Sequence, residues 1–268
     1  MSWWGKLVGG AFGFMLGGPL GAMLGAAVGH NFDKGINIST AGSPFGDGPN
    51  QERIQGAFFA ATFSVMGHVA KADGRVSEDE IAIARSVMQQ MSLDQTQARV
   101  AMDLFNQGKQ SDFVLESVIT QFKTECHRRR TLLQMFLEIL LHAAYADGVL
   151  HPQEEKILKG ISRDLGFSAT HFQQLEAMVR AQRFFTGDAS QSQRPPPAVM
   201  LNDAYTLLGA QATDGDAEVK KAYRRKMSQH HPDKLIAKGL PEEMLKLATQ
   251  KTQEIKAAYD LVKQQRAA

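Results

Sequence analysis

Seven glycines recur every fourth residue near the start of the chain, at Gly5, Gly9, Gly13, Gly17, Gly21, Gly25 and Gly29. Between Lys6 and Asp33 no Asp, Glu, Lys or Arg interrupts them. Few structures suit such a stretch. As a helix it would be about 39 Å long, enough for a bilayer core of about 30 Å. The glycines then form one stripe with almost no side-chain bulk, and two such stripes can approach closely enough for backbone-to-backbone dispersion contacts. Glycine is a poor helix former in water, so this segment needs lipid to be helical. Trp3 and Trp4 suit the membrane interface. Residues 1–32 are therefore expected to form a single transmembrane helix, with Gly9, Gly13, Gly17, Gly21 and Gly25 as its dimerisation seam. A cleaved signal peptide and a Gly-rich tail are the competing readings; the thin charged start and the long apolar run count against the former.

Two stretches read as linkers. Residues 33–50 are rich in Gly, Ser, Asn and Pro without apolar period, and are expected to be a tether. Residues 186–199 carry Ser190, Ser192 and Pro195-Pro196-Pro197, a spacer stiffened by polyproline geometry.

Between the linkers, residues 51–185 show apolar positions at helical spacing, as in Ile54, Phe58, Ala61 and Val65, or Leu132, Phe136, Ile139 and Leu140. No strand pattern is evident, and about seven helices are expected. An internal repeat stands out: Gly67 to Gly74 matches Leu141 to Gly148, pairing His68 with His142, Asp73 with Asp147 and Glu80 with Glu154 at one offset. One account is punctuation. A helix ends at Ala-Asp-Gly, and the next begins with Ser77 and Glu80 as a capping box, or with Pro152 in its first turn. The other account sets Asp73, Glu80, Asp147 and Glu154 as carboxylates that could hold a hard divalent cation. The spacing is not that of an EF-hand. These residues resemble the TerB-like domain of tellurite-resistance proteins, and that resemblance carries a suggestion of metal binding; both accounts stay open. Glu138, alone in an apolar helix, needs a partner if buried. His68 and His142 read as core histidines, and Met88, Met91, Met102 and Met135 as core filling.

In residues 200–268, Val219, Ala222, Tyr223 and Met227 lie at core spacing on a helix expected to be capped by Asp214 or Asp216. Lys220, Lys221, Arg224 and Arg225 spread over its outer face, and Pro232 ends it. A further helix starts near Pro241 and should return antiparallel. Tyr205-Thr206-Leu207-Leu208-Gly209, then His231-Pro232-Asp233, then Glu254 to Tyr259 stand in the order and spacing of a J domain, which this segment resembles. Lys226, His230 and Thr252 depart from the usual residues of that module. The resemblance implies a recognition surface for a DnaK-type chaperone: Asp233 in the loop accepts hydrogen bonds from the partner, the basic face steers it, and His231 braces the loop.

Membrane segment, TerB-like domain and C-terminal J domain, in that order, resemble the membrane-anchored DnaJ-like co-chaperones of Gram-negative bacteria. The fold class expected is all-α. The implied role is a regulatory co-chaperone that recruits DnaK to the inner membrane and stimulates its ATPase; the family is linked to envelope-stress and capsule signalling. The partners implied are DnaK, the membrane and a second copy of the chain. The chaperone's location puts the N-terminus in the periplasm and the bulk of the chain in the cytoplasm. A net charge of +2 argues against a nucleic-acid partner. The single cysteine, Cys126, excludes an intramolecular disulfide framework. No nucleophile–base pair, phosphate loop or zinc site is present, so no enzyme and no cofactor are expected, a divalent cation in the middle domain apart. The rival reading is a membrane-tethered, metal-responsive scaffold acting through residues 51–185; a third is a purely dimerising anchor.

Overall fold

The computed structural model describes residues 17–33, 49–72, 78–91, 93–145, 149–185, 197–238, 240–241 and 245–267, and all regular structure among them is helical. In chain order the helices are α1 (Gly18–Asp33), α2 (Pro49–Ala70), α3 (Glu78–Gln90), α4 (Gln95–Gly108), α5 (Leu115–Glu125), α6 (Arg130–Ala144), α7 (Pro152–Asp164), α8 (Ala169–Phe185), α9 (Pro197–Leu208), α10 (Asp216–His230), α11 (Pro232–Ile236) and α12 (Leu245–Ala267). Helices α2 to α8 are the seven expected of the middle region.

Helix α2 is its axis. Phe58, Phe59, Ala61, Phe63 and Val65 are all fully buried, so this helix is apolar on every side rather than along one stripe. Its buried hydroxyls turn back on their own helix: Thr62 Oγ1 donates to the Phe58 carbonyl at 2.7 Å and Ser64 Oγ to that of Ala60 at 2.7 Å. Phe58 meets Phe122 of α5 and Phe136 of α6 edge-on, with ring centroids 5.8 and 6.3 Å apart. Helix α4 crosses α2 at the closest approach. A Cβ on Gly67 would lie 2.0 Å from the Phe105 carbonyl oxygen, and one on Gly108 would lie 1.8 Å from that of Ser64. Each helix thus seats its backbone on the other's glycine.

Several helix starts follow capping rules. Asp94 and Gln97 form a reciprocal box at the start of α4, Gln97 N donating to Asp94 Oδ1 at 2.8 Å and Asp94 N to Gln97 Oε1 at 2.9 Å. Helix α7 begins with Pro152 at its first turn, and Glu154 accepts from the His151 N–H at 3.1 Å. Helix α9 begins at Pro197, inside the stretch read as a linker, because proline suits a first helical turn. The start of α10 differs from expectation. Its N-cap is Gly215, whose N–H donates to Glu218 at 2.9 Å; Asp214 instead accepts from Gln211 N, and Asp216 is engaged by Arg266.

Helix α1 packs against α4, α5 and α2 through Leu20, Leu24, Ala27 and Val28. Gln121 ties its first turn, accepting from Leu20 N at 2.9 Å and donating to the Gly17 carbonyl at 2.8 Å. Gly17 and Gly18 have φ of +58° and +59°, so the helix starts at Gly18 and is 16 residues long, about 24 Å. Among the described residues no helix is long and apolar enough to cross a membrane. Residues 1–16, with Gly9 and Gly13, lie outside the described residues.

The C-terminal helices α9, α10 and α12 pack on one another. Helices α10 and α12 run antiparallel. Arg266, at the end of α12, pairs with Asp216 at the start of α10 at 2.7 Å, and the Tyr223 and Tyr259 rings stack between them with centroids 4.2 Å apart. Arg266 also donates to the Tyr205 hydroxyl at 2.7 Å, tying in α9.

Candidate docking surface at the His-Pro-Asp loop

Helix α10 ends at His230 because the next residue takes an extended backbone, φ −61° and ψ 125° at His231, and Pro232 then opens the single-turn α11. The His231 imidazole braces the turn, its Nδ1 accepting from the Asp233 N–H at 3.2 Å. The Asp233 side chain points outward, 87% exposed, with its carboxylate 3.9 Å from His231 Nδ1. Leu235, fully buried, pins the loop from beneath.

Lys220, Lys221, Arg224 and Arg225 are all exposed, while Val219, Ala222 and His230 of the same helix are buried. The sequence-predicted basic face and the loop that follows it in the chain are therefore both open to solvent. A solvated array of cations beside a rigidly held carboxylate can orient an acidic partner and accept charge-assisted hydrogen bonds from it.

The C-terminal half of α10 meets the middle domain, and sequence reasoning missed what lies there. Glu138 of α6 is fully buried and forms an ion pair with Lys251 of α12, itself 4% exposed. Gln134 donates to the other Glu138 oxygen at 2.8 Å. His230 Nε2 stands 4.0 Å from that same oxygen without a hydrogen bond. Burial pushes the Glu138 carboxyl up, but Lys251, His230 and the two hydrogen bonds outweigh it and hold it at about 2. Burial pushes the His230 imidazole down to about 4, so it is neutral at pH 7. Lys226 faces the same region, donating to Met178 Sδ of α8 at 3.3 Å, and burial lowers its pKa. Two departures from the J-domain pattern, Lys226 and His230, thus fall on the face that meets the middle domain. The lone Glu138 in an apolar helix was the one sequence signal of this contact.

Of the carboxylates proposed for a cation, Asp73 and Asp147 lie outside the described residues, as does the Glu80 side chain on α3. Glu154 is buried in the capping arrangement at the start of α7. Among the described residues no three metal-ligating side chains come together. Gly21 is buried against the middle domain and Gly25 is exposed. Cys126 is buried, and burial pushes its thiol up to about 12.

Three family models match the chain in order: Co-chaperone DjlA transmembrane domain over residues 1–46, Tellurite resistance protein TerB over residues 59–177, and DnaJ domain over residues 203–267. The chain is similar over 99% of both lengths to proteins named Co-chaperone protein DjlA: 46% identical to that of Vibrio cholerae, 45% to that of Coxiella burnetii and 42% to that of Escherichia coli K12. No solved structure matches it.

Proposed function

The chain belongs to the family of DjlA co-chaperones, a family of regulatory, non-enzymatic proteins, and on that premise we propose that it recruits a DnaK-type chaperone to the inner membrane and stimulates its ATPase. The observation that carries this reading is that Asp233, in the loop after α10, and Lys220, Lys221, Arg224 and Arg225, on α10 itself, are all exposed. His231, Pro232, Asp233 and the four cations form the chaperone-docking surface. The basic face raises the encounter rate and fixes the register of an acidic partner. Asp233 then engages a partner cation, and the energy of that contact is spent on the chaperone's own catalytic step. Envelope-stress or capsule signalling is the setting the family resemblance implies.

The anchor is a single pass with a periplasmic N-terminus, supported by the charge-free run from Leu7 to Phe32 and by the match of residues 1–46 to a transmembrane family model. In water the apolar face of α1 must be covered, and α4 and α5 cover it; a bilayer offers the same cover. In lipid the glycine seam is left to pack on a second copy.

Steady-state ATPase of a purified DnaK-type chaperone with the full chain in detergent micelles tests the reading. The wild type is expected to stimulate, and Asp233→Asn, which removes the charge and keeps the shape, is expected to abolish stimulation. Equal stimulation by both would overturn the docking role of the loop.

A further inference from the structure

The His231-Pro232-Asp233 loop is tied to the middle domain at both ends. On its entry side His230, 3% exposed, lies against Glu138. On its exit side Gln51 of α2 donates to the Ile236 carbonyl at 3.3 Å, and Gln55 to that of Leu240 at 3.5 Å. Lys238 Nζ donates to Thr131 Oγ1, in the first turn of α6, at 3.0 Å. Beneath the loop, Lys251 reaches the Glu138 carboxylate. Helices α2 and α6 thus form a floor on which an otherwise exposed loop is laid.

A loop held only by its own residues must be ordered when a partner docks, and that ordering weakens binding; a loop ordered beforehand avoids the loss. Glu138 is suited to impose such order. It is fully buried, it belongs to the middle domain, and its partners come from both helices that flank the loop. A buried ion pair adds little net stability over an apolar contact, yet it fixes one arrangement, because any displacement leaves a charge buried without its partner.

We infer that Glu138 is a positioning residue for the chaperone-docking loop: from the middle domain it holds Lys251 of α12, with His230 of α10 packed beside the pair, and so sets the orientation in which Asp233 is presented. The middle domain is then a platform for the loop as well as a spacer from the membrane. The functional consequence rests on the co-chaperone reading above; the positioning itself does not.

The test combines hydrogen exchange of residues 231–240 with chaperone ATPase titrations, both on the full chain in detergent micelles. Glu138→Gln is expected to speed exchange in 231–240 while α4 and α5 keep their protection. It should raise the concentration for half-maximal stimulation by about tenfold with the maximum retained, since Asp233 is untouched and only preorganisation is lost. The double variant Glu138→Leu with Lys251→Met removes the pair without stranding a charge, and is expected to keep exchange in 231–240 fast, because an apolar contact does not fix one arrangement. Unchanged exchange in Glu138→Gln, slow exchange in the double variant, or faster exchange at unchanged potency each overturns the inference. Should Glu138→Gln unfold the middle domain, the double variant decides alone: fast exchange in 231–240 supports the inference and slow exchange overturns it. If the wild type fails to stimulate at all, the co-chaperone reading falls, while the exchange data still decide whether Glu138 holds the loop.

Discussion

Glu138 and Lys251, 113 positions apart in the chain and in different domains, meet as an ion pair shut off from solvent. The pair has dense company. Glu254 lies one turn along α12 from Lys251, His230 closes one side, and Lys226 approaches from α10. Charges in such a place titrate far from their usual range, and the stability of the docked arrangement depends on which of them are ionised.

Glu254 makes the sharpest case. Burial pushes its carboxyl up to about 7, against the pull of Lys251. The folded chain therefore keeps a proton that the unfolded chain releases, and this contribution to stability is lost as pH rises through about 7. His230 works the other way. Its pKa is lowered to about 4, so its contribution is lost as pH falls towards that value. Replacing Glu254 by Gln removes the first effect alone. Urea unfolding at pH 8 should show Glu254→Gln more stable than wild type, by at most about 3 kcal/mol, and the two should agree near pH 4.5. Equal stability at pH 8 would mean that Glu254 is not held protonated.

Lys226 is half-buried, with the Met178 sulfur as its hydrogen-bond partner, and burial lowers its pKa. An ammonium in that position loses more hydration than a thioether returns. Lys226→Met should stabilise the chain by on the order of 1 kcal/mol at pH 7 and leave stimulation of the chaperone unchanged. Thermal unfolding decides it; a lower midpoint would show that the ammonium is better solvated than its burial implies.

Gly67 and Gly108 admit no side chain. The atoms a methyl group would meet are the backbone carbonyl oxygens of Phe105 and Ser64, which cannot swing aside. Gly108→Ala must separate α2 from α4, and should destabilise the middle domain by about 3 kcal/mol or more. A midpoint in urea within error of wild type would contradict the close crossing.

The proposed topology is tested by labelling. Ser2→Cys is expected to react with a membrane-impermeant maleimide in intact cells. Cys126, buried and with its thiol pushed up to about 12, stays silent in the same chain. Labelling of Ser2→Cys only after lysis would reverse the orientation.

Much of this protein is legible in its sequence, because much of it is local. Apolar residues three and four apart announce the seven helices of the middle region and the hairpin of α10 and α12. Pro232 ends α10 wherever the chain is placed, and the clash of its ring with the preceding residue puts His231 in an extended backbone. The basic face is equally local, since Lys220, Lys221, Arg224 and Arg225 lie opposite Val219 and Ala222 by helical geometry alone.

The tertiary structure decided the rest. Asp214 and Asp216 had the right chemistry to cap α10. Gly215 caps it instead, while Asp214 accepts from Gln211 N and Arg266, arriving from the far end of α12, takes Asp216. Gly67 stands in the sequence as the first residue of a repeat, and in the fold it is where α4 rests its backbone. The sequence marked Glu138 as a carboxylate in need of a partner but could not name Lys251. Periodicity reports which face of a helix is apolar; it does not report which other face will be laid against it. The partner of a buried charge is set by that docking, at separations where chain order carries no information about distance.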